Sequence, residues 1–283
     1  MAAMAFLLAS CAGEEEVTTP ADSLKGKPIN VDVLVSDIKT RAGYDTKNLP
    51  TKFYLTIDQE GAESDYTNVV MKYEEGKWVA YASDAADAPT VDMIWANATG
   101  TITVKAATFS LSSTSTPLKA LTDQSTADGI KASDHLYYSS NAVTPSTGGI
   151  SLGLNHIMSK ISVKLTLVAE YESSATNPIT SVTAFGASTG ATYSPGTETP
   201  WSEQSNVKKI TLIPSAADDT NNRTVTYEAI LVPQTIAANT FGLEIRIGEQ
   251  TYEWKSADDF TLTGGTNHTL EMTVGNASSA NIN

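Results

Sequence analysis

The chain has 283 residues, a formal net charge of −14 at pH 7 and a charged fraction of only 18%. This acidic balance argues against nucleic acid as a partner, because binding to nucleic acid depends on clustered lysine and arginine. The single cysteine, Cys11, excludes an internal disulfide and a zinc site built from several cysteines. The length is sufficient to bury a substantial core without such cross-links.

The N-terminus begins with the sequence "MAAMAFLLASCAGEEEV". Its apolar stretch, Met4 to Ala9, is too short to span a bilayer, and small residues stand directly before Cys11. This order resembles the export signal of a bacterial lipoprotein, with cleavage before Cys11 and lipidation of its thiol. Residues 12–27 lack apolar periodicity and indicate a flexible tether, so we assign 1–27 to signal and tether.

The first predicted strand lies in "PINVDVLVS", residues 28–36. Apolar and polar residues alternate there, which is typical of a strand with one buried face. A short polar link then leads to Arg41, whereas the other two arginines of the chain lie beyond residue 220. The local sequence around Arg41 is, by itself, typical of an arginine in a solvated loop. The inward-facing residues of this strand are predicted to be Ile29, Val31, Val33 and Val35.

The rest of the chain predicts short strands joined by turns. Residues 66–73 and 77–82 flank Glu-Glu-Gly at 74–76 and indicate a hairpin. Residues 107–134 carry little pattern and predict loops with a short helix near 120–131. The segment 151–168 is too long for one flat strand, so a bend is expected at Asn155–Ser159. Further strands are predicted at 51–58, 93–98, 100–106, 179–186, 208–214, 223–233, 241–248, 250–255 and 268–275.

Many short strands at close spacing indicate an all-β protein made of antiparallel β-sandwiches. No stretch keeps a helical period beyond about three turns, which argues against α/β folds. The polar gap at residues 144–149 is a candidate domain boundary. We therefore predict an N-terminal β-sandwich domain at 28–149 and a C-terminal one at 150–283, both of ordinary domain size.

The motifs of common active sites are missing from the sequence. The three histidines, His135, His156 and His268, do not have the spacing of a zinc-binding helix, and no G-x-S-x-G nucleophile elbow occurs. Acidic pairs in polar loops lack the glycine and the final glutamate of a calcium-binding loop. We expect no enzymatic activity, no cofactor and no metal site, and we expect His156 to be a packed histidine at the bend.

Three of the four tryptophans, Trp78, Trp95 and Trp254, lie in strand patterns and are expected to pack in the core. Trp201 follows the polar sequence "SPGTETP" and is expected to lie in a loop. Because loops carry binding residues more often than strands do, Trp201 is a candidate ligand contact, for example to a sugar.

Several motifs occur in a characteristic order along the chain. After Cys11 and the first strand come "TRA" (40–42), "LGLNHIMSKISVKLTL" (152–167), "LVPQTI" (231–236), "FGLEIRIGEQTYEWK" (241–255) and "LTGGTNHTLEMTVG" (262–275). Each motif alone is weak, but together they cover nearly the whole chain after Cys11. In this combination the chain resembles the fimbrillin family of Bacteroidales, the subunits of type V pili.

The resemblance implies two transthyretin-like β-sandwich domains in tandem and export to the outer membrane as a lipoprotein. The lipid on Cys11 would be the only attachment to the membrane, and other pilin subunits would be partners at the cell surface. It also implies that an arginine-specific protease cuts between Arg41 and Ala42. The strand containing Ile29, Val31, Val33 and Val35 would then depart, and a strand of another subunit would fill its groove. An adhesive pilus would also contact a host or bacterial surface ligand.

The tail "NASSANIN", residues 276–283, is polar and is not expected to fill an apolar groove. One expectation is that the last strand, with Leu270, Met272 and Val274, serves as the donor. The other is that the subunit accepts a strand and donates none, which would place it at a pilus end as a tip or accessory subunit. An alternative function is a surface lipoprotein that does not polymerise and binds glycans.

Overall fold

The structure is a computed structural model that describes residues 24–36, 43–59, 65–96, 100–168, 176–215 and 223–275. Cys11, Arg41, Ala42 and the tail 276–283 lie outside these residues, so the predictions that concern them stay predictions. Within the described residues, strands greatly outnumber the one short helix. This confirms the all-β fold class.

The described residues of the first half contain eight strands and the helix. The predicted helix near 120–131 is observed slightly later, and the same unpatterned stretch also contains a short strand, β6. The elements are β1 (Val31–Val35), β2 (Lys52–Asp58), β3 (Tyr66–Glu74), β4 (Lys77–Tyr81), β5 (Ile102–Ala107), β6 (Thr116–Lys119), α1 (Ala127–Ser133), β7 (Leu136–Val143) and β8 (Ile150–His156).

In the part of the second half that the structure describes, twelve further strands follow, several of them only two or three residues long. They are β9 (Ser159–Leu167), β10 (Ile179–Phe185), β11 (Ser188–Tyr193), β12 (Trp201–Val207), β13 (Ile210–Thr211), β14 (Ile213–Pro214), β15 (Thr224–Leu231), β16 (Gln234–Ile236), β17 (Gly242–Ile247), β18 (Gln250–Lys255), β19 (Phe260–Leu262) and β20 (Asn267–Val274).

A seven-stranded sheet encloses the first hydrophobic core, in the order β1-β8-β7-β5-β2-β3-β4. The apolar residues that alternate along β2 and β8 point into this core and are almost completely buried. The predicted hairpin at 74–76 is confirmed, because Glu75 and Gly76 form the turn between β3 and β4. Both have positive φ, and Gly76 adopts 85° without steric cost.

The second hydrophobic core lies between two four-stranded sheets, ordered β13-β10-β17-β18 and β14-β15-β9-β20. The alternating residues of β9 that were predicted to face a core are at most 1% exposed; they are Ile161, Val163, Leu165 and Leu167. The predicted bend is also confirmed, since β8 ends at His156 and β9 begins at Ser159.

Backbone pairing links the two halves of the chain. Strand β6 pairs with β11, and β8, which the sequence assigned to the C-terminal domain, bonds to β1 and β7 in the first sheet. A local pattern cannot show this, because the partners are distant in sequence. The number and limits of the domains stay predictions. Most pairs are antiparallel as expected, but β1–β8 and β20–β9 are parallel.

Strand β12 forms one edge of a three-stranded sheet, ordered β12-β11-β6. All its residues after Trp201 are exposed, and Glu203 and Asn206 have positive φ values of 53° and 59°. The pairing of β12 with β11 shifts register between Gly190 and Thr192. This edge strand is therefore irregular, as bulged edge strands are.

A buried ion pair joins β9 and β15. The ammonium Nζ of Lys160 donates to Glu228 Oε1 at 2.7 Å, and the two side chains are 2% and 9% exposed. Removing one member of a buried pair leaves the other charge uncompensated, whereas replacing both members by apolar groups can be nearly neutral.

The substitution Lys160→Met is therefore expected to lower the free energy of unfolding by about 3–5 kcal/mol. The double substitution Lys160→Met with Glu228→Leu should cost clearly less than Lys160→Met alone. Urea unfolding followed by tryptophan fluorescence measures both. A double variant as unstable as the sum of the two single variants would contradict this account of the pair.

Candidate functional site

Strand β1 lies at the edge of the first sheet and pairs only with β8 among the described strands. The pairing is parallel and in register, from Val31 opposite Ile150 to Val35 opposite Leu154. An edge strand with one neighbour can be removed without breaking any other ladder of its sheet.

The side chains of β1 alternate as the sequence predicted. The four predicted inward residues are each less than 9% exposed and belong to the first core, whereas Leu34 is 61% exposed. Ile29 lies just before β1, where its N–H donates to the carbonyl of Met93 at 2.8 Å. The complete inward set is Ile29, Val31, Val33 and Val35.

The backbone of β1 bonds to β8 through every second residue. The Asn30 carbonyl accepts from the Ile150 N–H at 2.8 Å, and the Ser36 N–H donates to the Leu154 carbonyl at 2.9 Å. In a parallel pair the intervening residues turn their backbone groups to the opposite side. A cavity of about 650 Å³ beside β1 is lined by residues 29–34, by Ser151 of β8 and by Lys77 and Trp78 of β4.

A buried histidine–aspartate pair lies where β1 ends. His156 Nδ1 is 2.7 Å from Asp134 Oδ1, and the two side chains are 2% and 1% exposed. His156 Nε2 is 3.1 Å from the carbonyl oxygen of Ser36. The other carboxylate oxygen, Asp134 Oδ2, accepts from the N–H of Tyr44 at 3.1 Å. His156 is thus a packed and hydrogen-bonded histidine, as expected.

Two of these contacts involve residues that flank the predicted cleavage site in the sequence. Ser36 precedes Arg41 and Ala42 in the chain, and Tyr44 follows them. Burial, together with the negative charge of Asp134, raises the pKa of the Tyr44 hydroxyl. Asp134 closes helix α1, where its N–H donates to the carbonyl of Lys131. Sequence reasoning missed Asp134, because it is the last residue of the stretch 107–134, which carries little pattern.

Strand β20, the candidate donor, lies at the edge of the second sheet and pairs parallel with β9. Met272 and Val274 are each 3% exposed and Leu270 is half-buried, while the residues between them are exposed. The alternation predicted for β20 is thus observed, and its apolar face packs in the second core.

Trp201 was expected in a loop, but it is the first residue of β12. The polar sequence around it hid the strand, because β12 exposes both of its faces. The Trp201 ring is half-buried and packs against Tyr193, with ring centroids 4.8 Å apart. It also lines a shallow cavity of about 430 Å³ whose side chains are all uncharged. Of the tryptophans expected in the core, Trp95 and Trp254 are buried and Trp78 is half-buried.

The described residues contain no group of three or more His, Cys, Asp and Glu side chains that could hold a metal ion. Within the same ranges, no helix has both the length and the apolar character needed to cross a membrane.

Comparison with known proteins identifies the family. Residues 40–283 match the model of a family described as fimbrillin-like, and the chain belongs to this family. Membership makes it a pilus- or adhesion-related protein of the cell surface. No curated protein matches the chain.

Solved structures share the fold. A candidate cell adhesion protein of Bacteroides ovatus is 17% identical, with a TM-score of 0.66 over 91% of this chain and 95% of its own. A second candidate cell adhesion protein, from Bacteroides uniformis, is 12% identical, with a TM-score of 0.53 over 91% of this chain and 97% of its own.

The start of β20 depends on a neutral histidine. His268 Nε2 accepts from the N–H of Thr263 at 3.0 Å, and burial lowers the pKa of His268 from its ordinary 6.5. The folded state therefore binds fewer protons than the unfolded state. This contribution to stability is complete above pH 6.5 and is lost as the pH falls through the lower folded-state pKa.

We expect the midpoint of thermal unfolding to fall when the pH is lowered from 7.5 to 5.5. The midpoint of the His268→Gln variant should fall less, because the substitution removes one of the groups whose protonation destabilises the folded state. Burial also lowers the pKa of His135, which accounts for part of the remaining decrease. Identical decreases for the variant and the unaltered protein would contradict a role for His268.

Proposed function

We propose that the protein is a structural subunit of a type V pilus that is assembled by strand exchange after cleavage at Arg41. The observation that carries the proposal is the position of β1. It fills the first core from the sheet edge, pairs with a single strand among those described, and is followed in the chain by the segment containing Arg41.

The energetics of β1 support its role as a replaceable strand. Burial of its four inward side chains contributes about 1.5–3 kcal/mol each, or about 6–12 kcal/mol in total as an upper bound. Departure of β1 would expose an apolar groove and the backbone groups of β8. Such an edge is a template for an incoming strand of another chain.

The burial of β20 supports a proposal for the position within the pilus. Donation of β20 would remove Met272 and Val274 from the second core, in which they are buried. We therefore propose that this subunit accepts a strand and keeps β20, as a tip or accessory subunit. Export as a lipoprotein, with the lipid on Cys11, would bring it to the outer membrane, and we propose no enzymatic activity.

A second candidate function is glycan binding at the cavity beside Trp201. Its lining contains no charged side chain, although the protein as a whole carries a charge of −14. An aromatic ring next to hydroxyl and amide groups suits a neutral sugar, which has both an apolar face and many hydroxyls. The lining residues are Thr199, Pro200, Trp201, Gln204, Pro233, Gln234, Thr235, Thr261, Leu262, Thr263 and Gly264.

The cleavage hypothesis predicts one early cut by an arginine-specific protease. Intact-mass analysis should find a new N-terminus at Ala42, and the cut protein should form stable complexes with other pilin subunits. Arg41→Ala should abolish both results. The matched control Arg246→Ala removes an exposed arginine of β17 and should behave like the unaltered protein. Unchanged cutting and assembly in Arg41→Ala would refute the hypothesis.

The glycan hypothesis predicts measurable binding of a neutral hexasaccharide, with maltohexaose and mannohexaose as probes. Trp201→Ala should weaken binding about fivefold or more, because aromatic contacts of this kind are worth about 1 kcal/mol. Tyr73→Ala, at an exposed aromatic residue far from the cavity in sequence, is the control. Isothermal titration calorimetry provides the readout, and equal losses in the two variants would count against this site.

A further inference from the structure

We propose that His156 and Asp134 form a lock that holds β1 in place after the chain has been cut at Arg41. Cleavage and strand departure are then two separate events. This inference rests on the proposed function, since it concerns the step after the cleavage. Its basis is that the same buried pair binds the chain on both sides of the cut segment.

The first step of the argument concerns connectivity. His156 holds the outgoing chain at the carbonyl of Ser36, and Asp134 holds the returning chain at the N–H of Tyr44. Both contacts lie outside the pair of residues that the protease separates. A cut between Arg41 and Ala42 therefore leaves every one of these hydrogen bonds in place.

The second step concerns His156 as the link between the buried pair and β1. Each ring nitrogen faces an oxygen acceptor, the Asp134 carboxylate at 2.7 Å and the Ser36 carbonyl at 3.1 Å. The imidazole ring is rigid, so its contact with Asp134 fixes the orientation in which Nε2 meets the Ser36 carbonyl. The lock is thus a buried side-chain pair whose outer nitrogen contacts the backbone at the end of β1.

The third step concerns departure. When β1 leaves, His156 Nε2 loses the Ser36 carbonyl, and a buried polar atom without a partner is costly. The next strand restores the bond if it offers a backbone carbonyl at the position of Ser36. A one-residue slip of the donor turns its apolar residues out of the core, because side chains alternate along a strand. The lock therefore favours a donor strand whose alternation matches that of β1.

The test follows the departure of the N-terminal fragment after complete cutting by an arginine-specific protease. Native mass spectrometry measures how long the fragment stays bound. Asp134→Asn and His156→Phe should lose it at least about tenfold faster than the unaltered protein. The matched control is His135→Gln, because His135 adjoins Asp134 in sequence but its ring faces the carbonyl of Lys119 instead of β1. Equal departure rates in all four proteins would overturn the lock.

Hydrogen exchange on the uncut proteins separates the lock from a general loss of stability. In Asp134→Asn and His156→Phe, peptides covering β1 should exchange faster, while peptides covering β9 and β15 keep their rates. Faster exchange throughout the protein would mean that the pair merely stabilises the fold, and the lock would be rejected. A failure of the protease to cut at Arg41 would overturn the proposed function. The hydrogen-exchange rate of β1 in the uncut proteins would still test the lock.

Discussion

The crossing of the chain from the first core to the second, at Ile157 and Met158, is the constraint on which the rest of the structure depends. Strand β8 ends immediately before it in the first sheet, and β9 begins immediately after it in the second. The turn before β20 binds the backbone of this crossing, because the N–H of Gly265 donates to the Met158 carbonyl at 2.8 Å. A Cβ atom on Gly264 would lie only 2.6 Å from the Ile157 carbonyl, so a side chain there would collide with the backbone.

The two strands that meet at this crossing have equivalent roles. Each one carries a parallel edge strand, β1 on β8 and β20 on β9, and each edge strand buries an alternating apolar face. The His156–Asp134 pair belongs to the same region, because His156 is the last residue of β8. Contacts that fix the crossing and contacts that hold β1 are therefore made by neighbouring residues of one continuous segment.

The sequence predicted those features that depend on local pattern. The alternation of β1, the buried face of β9 and the bend between β8 and β9 were all visible in runs of a few residues. Pairing partners were not visible, because Val31 and Ile150 are more than a hundred residues apart and a period of two does not specify a parallel neighbour. Asp134 lies at the end of a stretch without pattern, and a local pattern does not show its contact with His156. Strand β12 buries no face from which alternation could arise, so its sequence predicts a loop. Cys11 and Arg41 remain known from sequence only.

The positive φ values of Glu203 and Asn206 have a consequence for crowding at the cell surface. Many copies of a surface protein meet at high local concentration, and a straight exposed edge strand would let them join into uncontrolled aggregates. Two left-handed residues in β12 interrupt the even spacing of N–H and C=O groups that a continuous ladder needs. The molecule thus has one edge that the proposed exchange would open to a partner and another whose shape discourages pairing.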